Sequence, residues 1–118
     1  MLNQWYGYGS AIATAALVVT VAATPASADT YRAGEFTITL SANDTEGQVY
    51  YGCDARGNCI RLKYGTGWRD SGRRGITWEN GNYTYVVSWS ENSTSASMYL
   101  NVFEGDRRLL RKPMYLID

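Results

Sequence analysis

Histidine is absent from the 118-residue sequence, and with it go the Ser/His and Cys/His nucleophile pairs and every His-ligated metal site. Cysteine is limited to Cys53 and Cys59, too few for a structural zinc and too widely spaced for a C-x-x-C redox pair. Net charge is also missing, since 11 Lys and Arg balance 11 Asp and Glu. A nucleic-acid binder carries a basic excess, so none is expected as a partner. The basic clusters that do exist, Arg69 with Arg73-Arg74 and Arg107-Arg108 with Arg111-Lys112, are interleaved with Asp70, Glu104 and Asp106 and read as solvated strand ends and loops. Paired carboxylates could still serve a glycosidase. Asp44, Glu46, Asp54, Asp70, Glu79, Glu91, Glu104 and Asp106 all fall at turns, loops or strand ends, however, and a domain this small has little room for a substrate cleft. The expectation is a protein that is not an enzyme and holds no metal or cofactor.

Long apolar runs are scarce as well. The longest, Ala11 to Ala23, is too short to cross a ~30 Å hydrocarbon core at roughly 1.5 Å per residue. It is followed by Thr24-Pro25 and then Ala26-Ser27-Ala28, which suits the small-residue rule of signal peptidase. Residues 1–28 therefore read as a signal peptide cleaved after Ala28, although Met1 to Ser10 lacks the Lys or Arg such a leader carries. Residues 29–118 are enough for one domain, with no transmembrane segment. Export to the periplasm or medium places Cys53 and Cys59 in an oxidising compartment, where they pair and staple a small core.

Along residues 29–118 the apolar pattern has period two almost throughout, without a 3.6-residue repeat. Glu35 to Ser41 reads as a strand with Phe36, Ile38 and Leu40 on one face. Gln48 to Tyr64 reads as a hairpin with Asp54 to Asn58 at its tip. If the disulfide joins opposed residues, Tyr50 faces Leu62 and Tyr51 faces Arg61, with Tyr50, Ile60, Leu62 and Tyr64 on the core face and Arg61 stacked on the Tyr51 ring. Asn80-Gly81 is the dipeptide of a type I′ hairpin turn and predicts Glu79 opposite Asn82 and Trp78 opposite Tyr83. Ile76, Trp78, Tyr83, Tyr85, Val87 and Trp89 then line one face. Ala96 to Phe103 forms another strand, and Arg108 to Leu116 a last one in which Pro113 marks an edge or a bulge. The fold expected is all-β, an antiparallel meander of about seven strands forming a compact barrel or a two-layer sandwich.

Gly52-Cys53, Cys59-Ile60-Arg61-Leu62 and the run from Gly75 to Tyr85 resemble a family of small exported bacterial proteins, chiefly cyanobacterial and without assigned function. The resemblance covers about half of residues 29–118 and implies a fold and an export route, not a chemistry. In size, compartment and fold the chain is also similar to the small periplasmic lysozyme inhibitors, without a segment that aligns with their inhibitory loop.

Gly65 to Gly75 reads as a glycine-rich loop that sets Trp68 beside Arg69, Arg73 and Arg74. Trp and Arg dominate interface energetics, so these four residues are the candidate binding site, for a protein or a glycan in the envelope or outside the cell. The alternatives are a structural component of the envelope or matrix, assembled through an edge strand, and an inhibitor of a secreted hydrolase.

Overall fold

The computed structural model describes residues 28–92 and 97–117. The expected signal segment up to Ser27 lies outside the described residues. Among those residues there is no helix. The strands are β1 (Ala28–Ala33), β2 (Phe36–Asn43), β3 (Gly47–Cys53), β4 (Cys59–Asp70), β5 (Arg73–Asn80), β6 (Tyr83–Ser90), β7 (Met98–Glu104), β8 (Arg107–Pro113) and β9 (Tyr115–Leu116). Each of β1 to β7 pairs antiparallel with the next in sequence. Short connections in sequence favour pairing with the neighbouring strand.

This sheet curls into a nearly closed barrel. The chain passes from β8 through Pro113 and Met114 into β9, which pairs with β1 through Tyr31↔Leu116 and Arg32↔Tyr115. Met114 N–H still donates to Met98 of β7 while Ile117 N–H donates to Thr30 of β1, so one short segment bridges the two sides of the sheet. Proline at 113 is where the last strand breaks, as its missing amide requires. Closure is confined to this end. At the other end Leu109 and Leu110 of β8 face Phe36 and Ile60 across an open cleft, while the Lys112 side chain packs over Gly34 of the β1–β2 turn.

The interior is filled by the faces that alternate inward: Ile38 and Leu40 from β2, Tyr50 from β3, Leu62 from β4, Ile76 and Trp78 from β5, Val87 and Trp89 from β6, and Leu100 and Val102 from β7. Two of the expected pairings differ. In the β5–β6 hairpin Asn80 opposes Tyr83 and Trp78 opposes Tyr85, so the turn is Gly81-Asn82 and not Asn80-Gly81. Of these two only Gly81 has positive φ, 63°, which is the demand of a type II′ turn; type I′ needs it at both positions. The slip moves each partner by two residues, so the inward face is unchanged. Arg61 does not stack on Tyr51 but grips Glu46, donating from Nη2 to Oε1 at 2.7 Å and from Nη1 to Oε2. Tyr64, assigned to the core face, is 67% exposed, because its backbone takes φ 57° at the point where β4 bends.

The Arg61–Glu46 pair makes a pH prediction. The Arg61 hydrogen bonds, helped by Asn43 Nδ2 and by the charges of Arg61 and Lys63, hold the Glu46 carboxyl at about 2, against an ordinary value of 4.5. A carboxylate whose pKa falls on folding adds stability above its unfolded value and loses it as pH drops toward the folded one. Glu46→Gln is therefore expected to flatten the acid limb of thermal stability between pH 4.5 and 2, read from melts across that window. An unchanged limb would show that other carboxylates set it.

Cys53 and Cys59 are bonded and directly opposed across β3 and β4, with Tyr50↔Leu62 and Tyr51↔Arg61 as expected of that register. The bond indicates an oxidising, non-cytoplasmic environment. It closes a short loop, so reduction is expected to cost about 2 kcal/mol and leave the far-ultraviolet dichroism of the barrel in place. Thermal melts with and without reductant check this, and a reduced chain that unfolds outright would contradict it.

Candidate functional site

The open end of the barrel holds a cleft of about 450 Å³. Its floor is made by Tyr50, Tyr85, Leu100 and Val102, and its walls by Phe36 and Ile60 on one side and Leu109 and Leu110 on the other. Adjacent residues of a strand ordinarily point to opposite faces, yet Leu109 and Leu110 both line the cleft. The cause is an irregularity in the β7–β8 ladder: Val102 opposes Leu110 and Phe103 opposes Arg108, so Leu109 is an extra residue on β8. A bulge of this kind re-aims a side chain, and Leu109 is left 44% exposed at the mouth.

Aromatic geometry sets the floor. The Tyr50 ring meets Trp78 at 5.4 Å between centroids and Tyr85 at 5.3 Å, both tilted, the arrangement that aromatic quadrupoles favour. Burial pushes the Tyr50 hydroxyl well above the usual phenol range, and that of Tyr85 upward too, so the floor stays neutral at physiological pH. Gly52 keeps Tyr50 in place, because a Cβ there would lie 2.8 Å from its ring.

The rim is the disulfide-closed tip between β3 and β4, which contributes Asp54, Asn58 and Cys59 to the lining. Asp54 Oδ1 accepts from the amides of Arg56 and Asn58, each at 2.9 Å, and Oδ2 accepts from Asn58 Nδ2 at 3.2 Å. The Asn58 amide and side chain, then the Arg56 and Gly57 amides, hold the Asp54 carboxyl below its ordinary value. With its oxygens occupied by its own loop, Asp54 braces the rim and is a poor base. The arrangement offers an apolar bed with a stiff polar edge.

The four residues expected to form the site are placed differently. Gly65 to Gly75 is not a loop but the second half of β4, a two-residue turn at Ser71-Gly72, and the start of β5. Its glycines are seats for indole rings: Trp78 covers Gly65 and Trp68 covers Gly75, where a Cβ would come within 2.6 Å and 2.2 Å of the rings. Trp68 lies on the outer face of the sheet and donates from Nε1 to Thr77 Oγ1 at 3.0 Å. Arg69 and Arg74 turn to the other face and share Glu91, at 3.2 Å and 3.0 Å. Arg73, on the outer face, donates to Ser88 Oγ and to the Ser97 carbonyl and sits over the Tyr99 ring at 6.0 Å. The expected cluster of one ring and three guanidinium groups is thus divided between two faces. The cleft was missed because its lining residues read as ordinary core; the one sequence signal was the unalternated pair Leu109-Leu110.

Fold and site together define a small antiparallel β-barrel, closed at one end and open over an apolar cleft at the other. Compared with known proteins, the chain matches no family model, no curated protein and no solved structure. No helix among the described residues is long and apolar enough to cross a membrane.

Proposed function

We propose that this protein is a non-catalytic binding module, exported to the periplasm or beyond, that takes an apolar group of a partner protein into the cleft at the disulfide end. The observation that carries the reading is the cleft itself: about 450 Å³ of apolar space at the surface, floored by two neutral phenols and two aliphatic side chains, with Leu109 held out at its mouth. Monomeric domains seldom leave such a hollow unfilled without a use for it. An apolar bed favours a protein partner over a glycan, because the carboxylate in the lining, Asp54, is already bonded within its own loop and leaves few polar groups for sugar hydroxyls. The bracing of the rim by the disulfide and the Asp54 bonds supports the same reading, because a preorganised surface loses little entropy on binding.

Affinity capture from the native envelope and culture fluid tests it. Leu110→Asp is expected to abolish capture, while Trp68→Ala and Arg73→Ala leave it unchanged. The reverse pattern would move the site to the outer face of the sheet.

A further inference from the structure

Resting on the reading of the cleft as the binding site, we propose that its ligand is an extended acidic peptide segment of the partner, added as one more strand to the free edge of β8. Among the described residues β8 pairs with β7 alone, and the chain reaches β1 only beyond Pro113, through β9. From Arg107 to Arg111 one edge of the strand therefore presents unpaired amides and carbonyls, and the Lys112 side chain beyond them packs over Gly34 of the β1–β2 turn. Leu109 and Leu110, in the middle of that edge, are also one wall of the cleft. The two features constrain the ligand jointly. A purely hydrocarbon ligand would fill the cleft but cover these polar groups without bonding them, which costs free energy. A peptide strand bonds them through its own backbone and drops alternate side chains into the cleft, the mode known as β-augmentation.

Charge selects among peptides. β8 carries Arg107, Arg108, Arg111 and Lys112 and no acid, the nearest being Glu104 and Asp106 before it. Arg107 is held by Glu104, and Arg111 lies 4.1 Å over the Tyr99 ring. Arg108 and Lys112 have no acidic partner among the described residues. A second copy of this chain is a poor occupant: antiparallel self-pairing centred on Leu109-Leu110 would set Arg108 against Arg111 and Arg107 against Lys112. Like charges directly opposed destabilise a strand pair, and basic residues with a bulge are a usual guard against such contacts. An acidic strand turns the same cations into favourable cross-strand pairs. The rim adds Arg56, exposed at the tip of the stiff loop, whose guanidinium has no partner among the described residues.

The test titrates the purified protein into a fluorescein-labelled heptapeptide, Glu-Glu-Val-Thr-Val-Glu-Glu, and reads anisotropy. Saturable binding is expected, weakened about tenfold when the three central amides are N-methylated, since a few backbone hydrogen bonds are lost with the side chains intact. A similar loss is expected for the peptide with Lys in place of Glu, and for Arg108→Glu/Lys112→Glu with the original peptide. Equal binding of the N-methylated peptide would overturn strand addition, and equal binding of the Lys peptide would overturn the preference for acid. If no peptide binds while Leu110→Asp still abolishes partner capture, strand addition is wrong and the cleft remains the site. Capture that survives Leu110→Asp removes both readings.

Discussion

Trp78→Ala is expected to destabilise the barrel by about 3–5 kcal/mol, a large part of the stability a domain of this size possesses. Trp78 is 1% exposed and is among the largest side chains completely enclosed by the barrel. It joins both halves of the sheet, since it stands on β5, covers Gly65 of β4, meets the Tyr50 ring of β3 and donates from Nε1 to the Gln48 carbonyl at 2.9 Å. Its loss opens a cavity that the curved sheet cannot close without breaking ladder hydrogen bonds, and it leaves the Gln48 carbonyl without that donor. Urea unfolding followed by far-ultraviolet dichroism measures the effect. A loss under about 1 kcal/mol would mean that the interior collapses around the gap, contrary to a tightly packed core.

Gly65→Ala is expected to cost about 3 kcal/mol, which is unusual for the addition of one methyl group. A Cβ at 65 would lie 2.6 Å from Cε2 and Nε1 of Trp78 and 2.7 Å from Cγ2 of Ile76. Both neighbours are enclosed, so neither can swing aside as an exposed side chain would. The backbone must move instead, and with it the Gln48↔Gly65 pairing at the bend of β4. Gly57→Ala serves as the comparison for sterics alone, because nothing lies within 4 Å of a Cβ there and only its φ of 87° opposes a side chain. The same unfolding measurement decides the matter. If Gly65→Ala is no worse than Gly57→Ala, the Trp78 ring is not fixed against Gly65.

Much of the fold could be read from residue alternation. The inward faces of β2, β5, β6 and β7 follow from period two, and the Cys53–Cys59 register follows from treating the cysteines as opposed. The misreading of the β5–β6 turn did no harm to the core, because a shift of partner by two residues keeps every side chain on its face. The candidate site was the less readable part. Glycines at Gly65 to Gly75 read as a loop, whereas Gly65 and Gly75 sit in strands and make room for Trp78 and Trp68. Trp68, Arg69, Arg73 and Arg74 are close in sequence, but strand alternation sends Arg69 and Arg74 to one face and Trp68 and Arg73 to the other.

By itself, the sequence determined the all-β class, the disulfide and the inward face of most strands, because each of these depends on residues near one another in the chain or on a strict two-residue period. Only the tertiary structure decided that the meander curls into a barrel, that β9 closes it at one end, and that Leu109 and Leu110 face Phe36 and Ile60 across an open cleft at the other. Those outcomes depend on how strand twist accumulates over the whole sheet, which no short stretch of residues records, and on a bulge in β8 whose one trace in the sequence is the unalternated pair Leu109-Leu110.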